Sequence, residues 1–222
     1  MEEIVKVIFR YLRKNIDEKY QLYLVGGSSR DYLLGKKFTD FDFATNAPFE
    51  YLIEVFPNCK NFYRKYGIVN LKYGDFDITL ACLRKEKLYL DNRHPSVIKF
   101  IDDPVEDAKR RDFTINAIYI DSKGKVIDPF GGKTDLKGKI IRMIGDIPSR
   151  INEDPVRILR AFRFEDTLGF RIEDKLKKYC EDNIWRIEEI NSHKLKIELE
   201  KCSNKAYLKI QSLLSASQRM IE

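Results

Sequence analysis

Cysteine and histidine are scarce in this chain of 222 residues, with four and two respectively. Cys59, Cys82, Cys180 and Cys202 lie far apart with no C-x-x-C pair, which excludes a zinc ribbon and a disulfide framework. His94 and His193 are too few for a histidine-rich metal centre. No run of about 18 apolar residues occurs, so no membrane-spanning helix is expected. Eleven glycines and seven prolines are modest counts that exclude a collagenous or linker-like segment. The opening, MEEIVKVIFRYLRKNI, places acids first and then alternates apolar with basic residues. That is the layout of an amphipathic helix and not of a signal peptide. Reduced thiols and a cytoplasmic setting are therefore the expectation.

Charge, by contrast, is abundant at 34% of residues, with a formal net charge of +6. A basic excess suits a phosphate-rich partner, although lysine content also follows genome composition, so charge alone leaves nucleic acid an open option. With 43% hydrophobic residues, the length fits one ordinary domain or a domain with a helical appendage.

After the first helix, QLYLVGG reads as a short strand ending in a glycine turn, and SSRDYLLG as a helix stopped at Gly35. DFDFAT alternates polar and apolar residues, as a half-buried strand does. PFEYLIEVF suits a helix, and the stretch around Tyr73-Gly74 suits a hairpin. RKEKLYLDNRHPSV, polar and interrupted by Pro95, predicts a mobile loop. VEDAKRRDFTINAIYI predicts a helix running into a strand, and VIDPF a further strand. From about Gly131 onward the patterns are helical and no strand is expected, which puts a boundary near residue 140.

Asp40 and Asp42 stand two apart in DFDFAT, so a strand would bring both carboxylates to one face. Two like charges there raise each other's pKa, and a divalent cation with a taste for hard oxygen, such as Mg²⁺, removes that conflict. Read alone, the pair is as readily one turn residue and one solvated acid. Upstream, Gly26-Gly27-Ser28 offers backbone N–H groups to phosphate oxygens, with a hydroxyl from Ser28 and a cation from Arg30. An ordinary strand-to-helix turn would use the same glycines. A third carboxylate, Asp77 in preference to Asp75, would complete a two-metal arrangement for in-line displacement at a phosphoryl group. The apolar run after Asp77 suggests that it lies on the core side of the sheet.

Four stretches then occur in one order: LVGGSSRDYLLG with DFDFAT, DAKRRDFTINAIYI, DPFGGKTDLKGKIIRMIG and EDPVRILRAFRF. Over residues about 24 to 165 they resemble the successive signatures of the class II tRNA nucleotidyltransferases (CCA-adding enzymes) and the related bacterial poly(A) polymerases. The resemblance implies an α+β fold: a nucleotidyltransferase head with a mixed β-sheet flanked by helices over 1–139, then an all-helical, base-selecting neck over 140–222. It implies that Asp40 and Asp42 bind the metal and act in catalysis, where the residue reading above adds Asp77, and that Gly26, Gly27, Ser28 and Arg30 bind the triphosphate. Arg111, Asp112 and Asn116 of RRDFTIN would contact the incoming nucleotide, the aspartate accepting from a ribose 2′-hydroxyl. Glu153, Asp154, Arg157 and Arg160 would select the base, Asp154 and Arg157 being expected at i and i+3 on one helix, neighbours on one face. Arg84, Asp91 and Arg93 would belong to the flexible loop that turns C addition into A addition.

The implied activity is Mg²⁺-dependent, template-independent addition from CTP and ATP to a tRNA 3′ end, as CCA or terminal A. Poly(A) synthesis and a non-catalytic RNA-binding remnant are the alternatives, and oligomeric state stays open. Three departures stand out. Ser29 occupies a position where the family generally carries valine, a change expected to affect packing alone. His193 and Lys194 replace a Glu-Arg pair in the later S-x-E-R helix. The family also usually continues through body and tail domains, which leaves a head-and-neck portion, a chain completed by another, or one that dispenses with the rest.

Overall fold

Val5, Ile8, Phe9 and Leu12 recur at helical spacing in α1 (Glu2–Arg13), and all four are buried. This stripe lies on a sheet, with Phe9 meeting Phe43 edge to face at 5.0 Å between ring centroids. The computed structural model describes residues 2–89 and 95–219. They form two units, the first of residues 1–88, 95–111 and 115–133, the second of the remainder.

In the first unit the chain runs β1 (Leu22–Leu24), α2 (Gly26–Leu33), β2 (Asp40–Thr45), α3 (Phe49–Val55), β3 (Lys60–Tyr63), β4 (Ile68–Tyr73) and β5 (Phe76–Cys82). There follow β6 (Arg84–Tyr89), β7 (Pro95–Phe100), α4 (Pro104–Ala108), β8 (Tyr119–Asp121) and β9 (Val126–Ile127). Seven strands form one sheet in the order β3-β4-β5-β2-β1-β8-β9. β2 is antiparallel to β1 and parallel to β5, so the sheet is mixed, as expected. Period-two alternation sends Phe41, Phe43, Ile78, Leu80, Val69 and Leu71 into the core. The opposite face carries Asp40, Asp42, Asp77 and Thr79.

The 84–100 stretch corrects a sequence expectation. It is not simply a loop: its arms are β6 and β7, paired as a two-stranded sheet. Arg84 is buried at the start of β6, its Nε donating to Glu86 Oε1 at 2.7 Å and its Nη1 to the Tyr66 carbonyl at 3.2 Å. A charged strand pattern held by ion pairs looks like loop when only apolar period is scored. Asp91 and Arg93 lie outside the described residues.

The second unit holds most of α5 (Gly132–Gly138), then β10 (Ile140–Ile141), α6 (Ile147–Glu153), α7 (Val156–Leu168), β11 (Arg171–Ile172), α8 (Asp174–Asp182), α9 (Ser192–Glu200) and α10 (Asn204–Arg219). Its core is built on α7, whose Ile158, Leu159, Ala161 and Phe162 are at most 1% exposed. Helices dominate, but β10 and β11 pair in parallel, contrary to the expectation of no strand after Gly131. Each is two residues long, too short to show a period, and each finds its partner some thirty residues away. No helix among the described residues is long and apolar enough to cross a membrane.

Candidate active site

At the β1–α2 corner the chain reverses through Gly26, whose φ of +66° lies in the left-handed region that glycine adopts without strain. Val25 precedes α2 in an extended conformation and offers no side-chain cap. The first turn of α2 carries no acid, so its amides contribute a partial positive charge at the corner. A Cβ on Gly26 would sit 3.2 Å from Asp42 Oδ2 and 3.6 Å from Arg111 Nη1. The missing side chain is what lets the backbone, a carboxylate and a guanidinium approach one another.

Asp40 and Asp42 project from the same face of β2, the first exposed and the second half-buried. Ser28 holds this strand to α2 and is 2% exposed. Its hydroxyl donates to the Asp40 carbonyl at 2.9 Å and accepts the Asp42 N–H at 2.7 Å. Its one proton is given to the strand here, a tie between α2 and β2 that the sequence alone did not show. Ser29 is fully buried, and its one hydroxyl proton lies between the carbonyls of Ile118 (2.8 Å) and Gly26 (3.1 Å). Serine at this position thus makes a hydrogen bond that valine could not, beyond any effect on packing.

Arg30 is also engaged. It grips Asp31 through Nε (2.9 Å) and Nη2 (2.7 Å), and its Nη1 donates to Asn116 Oδ1 at 2.8 Å. Asn116 thus fixes Arg30 directly under the Gly27 backbone, where a Cβ would lie 3.6 Å from Arg30 Nη2.

Asp77 is the Cα partner of Asp40 across the parallel β2–β5 pair. Its side chain is 60% exposed and pairs with Lys72 at 3.7 Å, so its strand position is not on the core side. Among the described residues no group of three His, Cys, Asp or Glu side chains converges as a metal cage. Asp77 does not join Asp40 and Asp42 in such a cluster, and Asp75 is exposed at the hairpin turn. Two carboxylates on one face nonetheless fit Mg²⁺, which keeps several waters and takes phosphate oxygens to complete its shell.

Arg111 is set by residues that sequence reasoning missed. Its Nε donates to Tyr119 Oη at 2.7 Å, its Nη2 to Asp107 Oδ2 at 3.4 Å and its Nη1 to the Asn116 carbonyl at 3.4 Å. Asp107 and Tyr119 are both 0% exposed, and the tyrosine hydroxyl donates to Asp107 Oδ2 at 2.5 Å. Burial pushes the Asp107 carboxyl up, but the Arg110 and Arg111 cations and the Tyr119 hydrogen bond together hold it well below the usual range. Burial likewise disfavours the Arg111 cation, yet Tyr119, Asp107 and Asp42 bind its proton more firmly than usual. The i, i+4 spacing of Asp107 and Arg111 was the only local signal of this cluster.

The other expected residues belong to the second unit. Asp112 accepts from Arg160 through Nε at 2.7 Å and Nη2 at 2.6 Å, and from the Phe113 N–H at 2.7 Å. Burial opposes the Arg160 cation, while Asp112 and Glu198 stabilise it and raise its pKa. Glu198, 6% exposed, also faces Arg163 Nε at 3.2 Å.

Asp154 and Arg157 do not share a helix. Asp154 is extended (φ −155°, ψ 96°) in the break between α6 and α7, because the following Pro155 disfavours helical backbone there. Its carboxylate accepts from the Val156 N–H at 3.2 Å and takes Lys194 Nζ on both oxygens at 3.1 Å. Arg157, on α7, pairs with Glu153 at 3.0 Å and donates to the Arg150 carbonyl. Lys194, read in the sequence only as a departure, is therefore a direct partner of Asp154.

The sequence profile of the family described as the poly A polymerase head domain matches residues 22–142. The CCA-adding enzyme of Geobacillus sp. (strain WCH70) is 36% identical over 182 residues, covering 82% of this chain and 45% of that protein. The solved Bacillus stearothermophilus CCA-adding enzyme in complex with CTP aligns with a TM-score of 0.76 at 32% identity, over 89% of this chain and 47% of that one. A tRNA nucleotidyltransferase complexed with a primer tRNA and an incoming ATP analog aligns at 0.71 and 31% identity, over 97% and 61%. This chain spans about half the length of the curated relatives it matches. With over half its residues matched by the head-domain profile, the chain belongs to the poly A polymerase head-domain family, the tRNA nucleotidyltransferase family of the CCA-adding enzymes.

Proposed function

We propose that this chain carries the catalytic part of a template-independent nucleotidyltransferase that extends tRNA 3′ ends from CTP and ATP, as CCA or terminal A, with release of pyrophosphate. The observation that carries the reading is the β2–α2 corner, where two carboxylates on one strand face meet a glycine turn at a helix start and the Arg111 cation. In support, the related solved proteins hold CTP, or a primer tRNA with an ATP analog.

In this reading Asp40 and Asp42 hold Mg²⁺, which when bound supplies Lewis acidity toward phosphoryl oxygens. The Gly26 and Gly27 amides and Arg111 take triphosphate oxygens, and Arg30, fixed by Asp31 and Asn116, supports the turn from beneath. Residues 140–222 act as a base-selecting neck. Asp112 accepts from the ribose 2′-hydroxyl, with Arg160 orienting it. Cytosine and adenine each pair an exocyclic amine donor with a ring-nitrogen acceptor; uracil and guanine present the reverse. An acceptor from Asp154 beside a donor from Arg157 selects the first pattern without a nucleic-acid template. Glu153 holds Arg157 for that task.

The test is incorporation of labelled CTP and ATP, with Mg²⁺, into tRNAs ending before the CCA, after C and after CC. An Asp40→Ala/Asp42→Ala double variant runs in parallel. Ordered addition that stops at CCA, or A added only to the CC end, supports the reading if the double variant is inactive. The matched family domain also favours a second reading, poly(A) synthesis, which an unbounded A ladder would establish. Absence of both nucleotide binding and incorporation would overturn the catalytic reading.

A further inference from the structure

We infer that Asp107 and Tyr119 are positioning residues, which together aim the Arg111 guanidinium at the Gly26–Asp42 corner; the inference rests on the nucleotide-binding reading above. An arginine has a long, rotatable arm, so where its cation sits depends on the partners that hold it. Tyr119 Oη takes Arg111 Nε at 2.7 Å, and the Asn116 carbonyl and Asp107 Oδ2 take Nη1 and Nη2 at 3.4 Å each. The Arg111 guanidinium also lies over the Tyr119 ring, 5.0 Å from its centroid.

Asp107 anchors the array from below. Its Oδ2 accepts the Tyr119 hydroxyl at 2.5 Å, while its Oδ1 accepts the Arg84 backbone N–H and Arg110 Nε, both at 2.9 Å. One fully buried carboxylate thus ties Arg84, the first residue of β6, to the cation at the nucleotide corner. A buried acid with every oxygen engaged is costly to break, which makes the array rigid and not adaptable. A guanidinium already held beside Gly26, with Nη1 3.6 Å from the place a Cβ would take, needs no reorganisation when a triphosphate reaches the corner.

Tyr119→Phe is the incisive variant because it removes one oxygen and keeps the buried ring. The readouts are the melting temperature without ligand, the Kd for Mg·CTP and Mg·ATP by titration, and the KM and kcat of incorporation. The expected result is that Kd and KM for both nucleotides rise about tenfold, as for one lost charge-assisted hydrogen bond. Arg111→Lys should raise them similarly, and the double variant should be little worse than Arg111→Lys alone, since both changes act through one guanidinium. A lowered melting temperature with unchanged Kd and KM would overturn the inference and leave a structural role only. Fully additive effects in the double variant would overturn it as well. Failure of the unaltered chain to bind either nucleotide defeats the functional reading and this inference together, whereas normal binding in the unaltered chain and in Tyr119→Phe defeats the inference alone.

Discussion

Replacing Ser28 by alanine separates a structural hydroxyl from a phosphate-binding one. The hydroxyl is buried and makes two hydrogen bonds to β2, at 2.9 Å to the Asp40 carbonyl and at 2.7 Å from the Asp42 N–H. Each such bond contributes about 1 kcal/mol net, and more is lost when the backbone partner is left dry and unpaired. Ser28→Ala should therefore destabilise the protein by about 2 kcal/mol, or lower its melting temperature by about 4–8 °C for a chain of this size. Urea titration followed by circular dichroism reads this directly, with an unchanged slope marking an unchanged denatured state. Nucleotide affinity should fall as a consequence, because the strand that presents Asp40 and Asp42 loses its tether to α2. A melting temperature unchanged within error, together with weaker CTP and ATP binding, would refute the reasoning. The hydroxyl would then belong to the ligand and not to the fold.

Gly26→Ala forces a non-glycine residue to φ +66° and places its methyl 3.2 Å from Asp42 Oδ2, so it should lose about 1–2 kcal/mol of stability and at least tenfold in Mg²⁺-dependent incorporation. Gly74→Ala has similar backbone strain at φ +59° with nothing within 4 Å, and should keep its activity; equal losses in both variants would show that strain alone is responsible. Lys194→Met releases the Asp154 carboxylate from a partly exposed pair, so stability should change by less than about 1 kcal/mol while discrimination of CTP and ATP against UTP and GTP shifts. Unaltered discrimination would remove Lys194 from base selection. Asp107, whose pKa is lowered from an ordinary value of 3.8, contributes stability that is present above that value and lost as pH falls below it. The stability gap between the unaltered chain and Asp107→Asn should accordingly narrow from pH 5 to pH 3; a constant gap would mean that this carboxylate does not carry the acid dependence.

Local pattern alone determined much of this protein. Alternation in DFDFAT settles that Phe41 and Phe43 go inward and that Asp40 and Asp42 share the other face, since strand side chains alternate whatever the rest of the chain does. The glycine pair before a helical run marks the turn at Gly26, and the spacing of Val5, Ile8, Phe9 and Leu12 marks α1. These features depend on residues within a few positions of one another. What depended on partners far along the chain was decided only by tertiary structure. That the Ser28 hydroxyl ties α2 to β2 follows only from β2 being laid beside it. Asp154 and Arg157 looked like one helical pair until Pro155 broke the helix and Lys194, forty residues on, reached Asp154. β10 and β11 have no period of their own and exist because each completes the other. The Asp107–Tyr119–Arg111 array joins a helix to a strand through a buried hydroxyl. A side chain's direction follows from backbone period, but the partner it meets follows from packing, and hydrogen-bonding groups take whichever partner packing supplies.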